Sequence, residues 1–263
     1  MPIKGIDIEK CDLCNECIKE CPMGNFSKPK GKIIFDSSRS CILCGHCIAV
    51  CQKNAINYED MKDIVFNFEK ISELQSFDAM YKILRSKRSI RQYKNQKVPK
   101  DIIEKVIDCI RYAPVGLNKR TLKCLVISDE EKINELIDTI IETIDSKEER
   151  ENYKKKRTEN IDPFFYNAPH LFILHSNNND WDSKNAVIAI TYAMLGAETL
   201  GLGSCWIGGV QIFLNENKEI VKNLFGIDDE IFGIMILGYP KVKYYRAPPR
   251  PPIETKFISE SSV

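Results

Sequence analysis

The residues with the clearest potential for chemistry are the cysteines. The 263-residue chain contains 11 of them. Eight fall into two runs of identical spacing, C-x2-C-x2-C-x3-C, which are Cys11, Cys14, Cys17 and Cys21, followed by Cys41, Cys44, Cys47 and Cys51. The second run follows the first by 30 residues (41 − 11 = 30), and the offset holds at all four cysteines. This regularity indicates an internal duplication.

Three kinds of site use closely spaced cysteines. Disulfides are disfavoured, because no secretory signal is visible at the N-terminus and cysteines two or three residues apart would close small, strained loops. Structural zinc is the second possibility, but a zinc ion takes four ligands, usually from two separated C-x2-C pairs. Two [4Fe-4S] clusters suit the spacing best, since three thiolates of each run can surround one face of a cubane while the fourth points away from it.

The double motif resembles the two-cluster bacterial ferredoxins. In that family the fourth cysteine of each run ligates the other cluster. The resemblance therefore implies that Cys11, Cys14, Cys17 and Cys51 hold one cluster, and that Cys41, Cys44, Cys47 and Cys21 hold the other. Pro22 follows the first run as in the family, whereas Gln52 stands at the position of the second proline.

A basic segment at residues 85–93, R-S-K-R-S-I-R-Q-Y, is the second candidate site. The guanidinium groups of Arg88 and Arg91 and the hydroxyl of Ser89 lie within four residues, and together they can grip a phosphate dianion. By itself such a segment is more typical of a solvated basic face. Two glycine-containing loops follow it, Y-A-P-V-G-L-N at residues 112–118 and G-L-G-S-C-W-I-G-G at residues 201–209, and tight turns of this kind let a backbone approach a planar ring.

In this order, the three segments resemble the nitroreductase family of FMN-dependent, usually homodimeric flavoproteins. The resemblance implies an FMN site at the subunit interface, in which residues of all three segments and an arginine of the proline-rich tail contact the cofactor. These residues are Lys87, Arg88, Ser89, Arg91, Pro114, Val115, Gly116, Asn118, Ile207, Gly208, Gly209 and Arg250. Val115 replaces the usual serine, and Pro248 replaces a family lysine. The tail containing Arg250 is equally compatible with an arm that wraps a partner subunit.

The elements that must position these residues follow from hydrophobic periodicity. Amphipathic helices are predicted from residue 77, at 101–111 and at 130–143, and short apolar strands at 123–127, 171–175 and 231–237. The segments 32–35 and 54–58 are predicted to form a hairpin that closes the cysteine-rich unit. The class is α+β, with a nitroreductase-like mixed or antiparallel sheet flanked by helices. The predicted domains are a ferredoxin-like unit at 1–60, a connector at 61–76 and an FMN domain at 77–263.

Two further segments bear on the site. Residues 186–197 form an apolar helix that should be buried on every side, either in the core or at a dimer interface. The charged stretch 145–162 is predicted to be a solvated lid or helix face. The aromatic residues Phe164, Phe165 and Tyr166 that follow it either cover a substrate pocket or pack in the core.

Composition restricts the function further. The formal net charge is +1, so the chain has no excess of basic or acidic residues that would indicate nucleic acid or a charged membrane surface as a partner. No apolar stretch approaches the length of a spanning helix, so a cytoplasmic protein is expected.

The expected activity joins the two sets of residues. Electrons would pass from the two clusters to FMN and leave from its N5 as a hydride to an electron-poor small molecule such as a nitroaromatic, a quinone or an activated alkene. No side chain is required as acid or base, because solvent can supply the proton. The electron donor is either a ferredoxin-like protein or NAD(P)H. Two alternatives remain open: an NAD(P)H-dependent nitroreductase with accessory clusters, and a non-enzymatic electron carrier or redox sensor.

Overall fold

The computed structural model describes residues 3–59, 63, 76–177 and 179–258. The predicted connector of residues 61–76 therefore lies outside the described residues, apart from Asp63 and Ser76. Within the described part of the chain, no helix combines the length and the apolar character needed to cross a bilayer.

The N-terminal unit is built from short elements around the two cysteine runs. Its strands and helices are β1 (Ile3–Ile6), α1 (Glu16–Glu20), β2 (Phe26–Ser27), β3 (Ile34–Phe35), α2 (His46–Ala49) and β4 (Ile56–Tyr58). Strand β1 pairs antiparallel with β4, and β2 pairs antiparallel with β3. The predicted strands within 32–35 and 54–58 are thus present, but the prediction that they form a hairpin is wrong, because each pairs with a different strand.

The internal duplication is visible in the backbone. Left-handed conformations occur at Leu13 and Leu43, at Asn15 and Gly45, and at Gly24 and Asn54. Each pair is separated by the 30-residue offset of the sequence repeat. The two halves therefore wind their chains in the same way around each cysteine run.

The C-terminal unit combines helices with a four-stranded sheet. Its elements are α3 (Phe77–Ser86), α4 (Lys100–Arg111), β5 (Lys123–Ile127), α5 (Glu130–Thr143), α6 (Lys147–Thr158), β6 (His170–Ser176), α7 (Asn179–Thr199), β7 (Gly203–Trp206), α8 (Gly208–Glu216), α9 (Lys218–Phe225) and β8 (Glu230–Gly238). The strand order is β5-β6-β8-β7, and every pair is antiparallel. The predicted α+β class, strands and helices are confirmed, and the charged stretch 145–162 contains α6.

The glycine-rich segment 201–209 differs from its prediction as a loop. Residues 203–206 form β7, which pairs with β8 from Gly203 opposite Gly238 to Trp206 opposite Met235. The glycines obscured this strand, because glycine is rare inside strands. Residues 201–202 lie in the turn before β7, and Ile207 links β7 to α8, which begins at Gly208.

Alternating residues of the sheet pack into two separate cores. Along β6, Leu171 and Ile173 belong to one core, whereas Phe172 and Leu174 belong to the other. The first core contains α5, α8 and α9, and the second contains α4 and α7. Since successive side chains of a strand point to opposite faces, these helices cover opposite faces of the sheet.

Helix α7 is only partly buried. Ala186, Ala189 and Ala193 lie in the core, but Val187 is 51% exposed and Tyr192 is 40% exposed. The prediction that this helix is buried on every side is therefore wrong for the single chain. The solvent-facing side of α7 contains Val187 together with the polar residues Lys184 and Thr191.

Candidate functional site

The eight cysteines of the two runs surround two cavities. Cys11, Cys14, Cys17 and Cys51 line one of them. Cys21, Cys41, Cys44 and Cys47 line the other. The fourth cysteine of each run thus lies on the cavity of the opposite run, which is the exchange that the ferredoxin resemblance implies.

Backbone amides approach the two exchanged cysteines in the same way. The amide of Asn25 donates to Sγ of Cys21 at 3.3 Å, and the amide of Ala55 donates to Sγ of Cys51 at 3.2 Å. These donors are again 30 residues apart. An N–H that points at sulfur stabilises the thiolate form, which is the form that ligates iron.

Burial opposes ionisation of the inner cysteines when no cation is nearby. Desolvation, with the neighbouring Cys11 and Cys14, raises the pKa of the Cys17 thiol. Desolvation likewise raises the pKa of Cys47 to about 11. Among the described residues, no three His, Cys, Asp or Glu side chains converge as ligands of a single ion. The thiols are instead spread around each cavity, and this donor set fits a cubane whose iron atoms supply the compensating positive charge.

The basic segment after α3 runs along the edge of β7. Ser89 forms a parallel bridge with Ser204, and the amide of Ile90 donates to the Ser204 carbonyl at 3.1 Å. The ammonium of Lys87 donates to that same carbonyl at 3.0 Å. Burial lowers the pKa of Lys87. The Ser204 hydroxyl is buried without a hydrogen-bond partner among the described residues, and an orphaned hydroxyl beside a basic segment is consistent with a missing ligand.

A cavity of about 800 Å³ opens next to this segment. Its wall includes four residues of the predicted FMN set, which are Arg91, Ile207, Gly208 and Gly209. Gly208 and Gly209 form the first turn of α8, where backbone amides have no partner within the helix. A methyl group built on Gly209 would meet nothing within 4 Å, so the approach to this backbone is open. The volume lies within the range of pockets that bind cofactors and drug-sized ligands.

An aromatic loop closes one side of the cavity. The buried carboxylate of Asp162 accepts hydrogen bonds from the amides of Phe164, Phe165 and Asn167 at 2.8–3.0 Å. This turn buries Phe165 completely and places the Tyr166 ring 5.8 Å from the guanidinium carbon of Arg91. Phe164 and Tyr166 line the cavity, whereas Phe165 packs in the core. The prediction of core packing is therefore confirmed for Phe165, whereas Phe164 and Tyr166 border the cavity.

The loop at 114–118 lies elsewhere in the same chain. The amide of Gly116 reaches Oδ1 of Asn185 at 3.5 Å, and its Cα lies beside Trp181, so the loop packs on the N-terminal turns of α7. Helix α7 covers one face of the sheet, whereas the residues of α5 and α8 that line the Arg91 cavity cover the opposite face. The loop 114–118 and the four predicted FMN residues that line the cavity thus lie on opposite sides of the sheet.

The other predicted FMN residues lie at several places. Pro114, Val115 and Asn118 belong to the α7 group with Gly116, and Lys87, Arg88 and Ser89 lie on the β7 edge. Arg250 is exposed in the C-terminal segment. Ser204 and Asp162 were not predicted as site residues, because their roles depend on strand pairing and a loop turn that no local motif records.

Comparison with known families covers most of the chain. A family model described as "Nitroreductase family" matches residues 84–239. A second model, described as "4Fe-4S dicluster domain", matches residues 10–56. The two matches coincide with the two structural units.

Similar proteins fall into the same two groups. A protein of Methanothermobacter thermautotrophicus named "Putative NADH dehydrogenase/NAD(P)H nitroreductase" is 23% identical over 65% of this chain and 80% of its own length. A ferredoxin of Methanocaldococcus jannaschii is 39% identical over 22% of this chain and 40% of its own length. The crystal structure of a nitroreductase with bound FMN from Bacteroides fragilis superposes with a TM-score of 0.53 at 25% identity, covering 66% of this chain and 98% of that one.

Proposed function

The chain belongs to the nitroreductase family and carries an N-terminal 4Fe-4S dicluster domain, and on that basis we propose that it is an FMN-dependent oxidoreductase supplied with electrons by two [4Fe-4S] clusters. The proposed acceptor is an electron-poor small molecule, such as a nitroaromatic, a quinone or an activated alkene. Each turnover consumes two electrons and two protons per acceptor. The observation that carries the proposal is the presence, in one chain, of two four-thiol cavities and a cofactor-sized cavity bordered by Arg91.

The proposed cluster ligands are the cysteines that share each cavity. Cys11, Cys14, Cys17 and Cys51 would hold one cluster, and Cys21, Cys41, Cys44 and Cys47 would hold the other. The backbone amides of Asn25 and Ala55 donate hydrogen bonds to Sγ of Cys21 and Cys51, one in each site. Clusters exchange single electrons, whereas FMN, when bound, accepts electrons singly and passes them on in pairs.

The proposed FMN site uses the basic segment and the start of α8. Arg88 and Arg91 supply fixed positive charge for a phosphate and for an anionic ring. The amides of Gly208 and Gly209 supply donors at a helix N-terminus. The loop 114–118 and Arg250 complete the proposed site, which we place at the interface of a homodimer. Tyr166 and Phe164 limit access of water from one side.

The first test is composition. Protein purified without oxygen should contain about eight irons, about eight sulfides and one FMN per chain, because each cubane contributes four of each. Zinc without sulfide would contradict the cluster assignment, and clusters without flavin would contradict the FMN assignment. Replacing both Arg88 and Arg91 by Ala should remove FMN and leave the iron content unchanged. Lys105→Ala, in the exposed part of α4, is the control.

A second candidate function differs only in its electron donor. The name of the Methanothermobacter relative points to NAD(P)H as a reductant. In that case NADH or NADPH alone should bleach the flavin rapidly, even after Cys14→Ser and Cys44→Ser have removed the clusters. Under our proposal, loss of the clusters slows flavin reduction by a single-electron donor, and NAD(P)H does not replace it.

A further inference from the structure

The second cysteine cavity is tied directly to the C-terminal domain. The side-chain amide of Asn118 donates to the carbonyl oxygen of Ile42 at 2.7 Å. Ile42 lies between Cys41 and Cys44 and lines the cavity that these cysteines share with Cys21 and Cys47. Ile42 does not line the other cavity, which is formed by Cys11, Cys14, Cys17 and Cys51. The contact therefore selects the second cluster site as the one next to the loop 114–118.

The Asn118 amide is oriented for this role. Its oxygen accepts from the guanidinium of Arg120 at 3.3 Å, which leaves the NH2 group to face Ile42. Asn118 has a left-handed backbone, with φ of 53°, which asparagine tolerates better than most residues. The loop itself is held by Asn185, whose NH2 donates to the fully buried carboxylate of Asp182 at 3.0 Å. A buried, hydrogen-bonded network thus supports the position of the docking amide.

The same loop cannot serve the Arg91 cavity of its own chain. The loop and α7 lie on one face of the sheet, and α5 and α8, which help to line the cavity, lie on the other. A single FMN that contacts both groups must therefore take them from two chains. Trp181, Val187 and Tyr192 of α7 are exposed, and the Trp181 ring lies next to Gly116 of the loop, so a second copy that docks at the loop would also cover apolar side chains of α7.

We propose that electron transfer to the flavin occurs between subunits: the cluster site of Cys21, Cys41, Cys44 and Cys47 in one chain delivers electrons to the FMN held by Arg88 and Arg91 of the other. This inference rests on the proposed function. Asn118 is the positioning residue that holds the delivering loop. Two single electrons, supplied by a low-potential one-electron donor, leave the reduced clusters, and solvent provides the protons.

Mixed dimers distinguish transfer between subunits from transfer within one. One full-length chain carries Cys44→Ala and keeps Arg88 and Arg91, and the other carries Arg88→Ala and Arg91→Ala and keeps its clusters. Different tags allow the mixed dimer to be purified anaerobically. We expect co-purification, half the FMN of the wild-type dimer, and flavin bleaching by a reduced ferredoxin at the wild-type rate.

Each contrary outcome has a separate meaning. Failure of the two tagged chains to co-purify, or flavin that bleaches as slowly as in the Cys44→Ala homodimer, would overturn transfer between subunits. Failure of the proposed function would appear instead in the wild-type protein, as reduced clusters that never bleach the flavin.

A milder pair of dimers avoids any loss of a cluster. Asn118→Asp replaces the NH2 donor with a carboxylate oxygen that faces the Ile42 carbonyl, so the hydrogen bond between the two residues is lost. We expect flavin bleaching to slow about tenfold, which corresponds to about 1.4 kcal/mol for the lost hydrogen bond. In the first dimer, the chain with intact arginines carries Asn118→Asp and its partner carries the arginine substitutions, and the flavin should still bleach fast. In the second dimer, the arginine-variant chain itself carries Asn118→Asp, with a wild-type partner, and bleaching should slow. The reverse pattern would establish transfer within one chain. Asn160→Asp, at another left-handed asparagine, is the control.

Discussion

Substitution of Gly203 by alanine probes how closely the basic segment is held against β7. A methyl group at this position would lie 2.6 Å from Cγ1, 2.8 Å from Cβ and 2.9 Å from Cγ2 of Ile90. Rotation of the Ile90 side chain does not relieve the clash, because its Cβ is itself one of the three atoms. The backbone of Ile90 must move, and with it the hydrogen bond from its amide to the Ser204 carbonyl.

The expected cost follows from overpacking of a buried contact. Ile90 is 5% exposed, and such clashes destabilise a protein by about 1–3 kcal/mol. We also expect weaker FMN binding, since the displaced segment contains Arg88 and Arg91. Ile90→Ala removes two of the three clashing atoms, so the double variant Gly203→Ala with Ile90→Ala should be less destabilised than the sum of the single variants.

Urea unfolding followed by tryptophan fluorescence measures this effect. The two tryptophans of the chain, Trp181 and Trp206, both lie in the C-terminal unit, so the signal reports on that domain alone. Gly209→Ala is the matched control, because its methyl group meets no atom within 4 Å and helix α8 should gain stability from it. A Gly203→Ala variant as stable as wild type, or strict additivity with Ile90→Ala, would refute the close contact.

Three further outcomes follow from particular contacts. Cys21→Ser should abolish the same cluster signal in electron paramagnetic resonance as Cys44→Ser and spare the one lost in Cys14→Ser; loss of the signal that depends on Cys14 would contradict the exchanged ligands. Burial lowers the pKa of His170 from 6.5 to about 4, so the unfolded state takes up its proton first and the free energy of unfolding should fall between pH 6.5 and pH 4, by up to about 3 kcal/mol. Urea titrations of wild type and His170→Gln check this, and equal pH slopes would oppose it. Lys87→Met leaves the Arg88 and Ser204 carbonyls without their ammonium donor and should cost about 1–3 kcal/mol in the same unfolding assay, whereas an unchanged midpoint would show that the contact is not stabilising.

The parts of the fold that depend on local pattern were predictable. The strand at 123–127 and the helix at 130–143 have the predicted limits, because their hydrophobic periods are unbroken. Strand pairing was not predictable, since β2, β3 and β4 have two or three residues each and so little pattern to specify a partner. Strand β7 was missed because Gly203 and the glycines on either side of the strand, Gly201, Gly208 and Gly209, are typical of loops.

The candidate site shows the same division. Motif spacing was sufficient to group the first three cysteines of each run, which share a cavity, whereas the placement of Cys21 and Cys51 on the opposite cavities was expected only from the ferredoxin resemblance. The FMN residues come from three distant segments, and their motifs carry no information about which face of the sheet each segment occupies. The contact between Asn118 and Ile42 also lay beyond the sequence, because it joins a loop of one domain to a carbonyl of another.

The exchange of Cys21 and Cys51 between the two halves has a consequence for maturation and damage. Neither 30-residue half contains a complete ligand set on its own cavity, so insertion of either cubane requires both halves to be closed together. Loading of iron should therefore follow closure of the two halves on each other, so that an isolated half forms neither cubane. By the same linkage, oxidation of one cubane would release a cysteine that belongs to the run holding the other cubane.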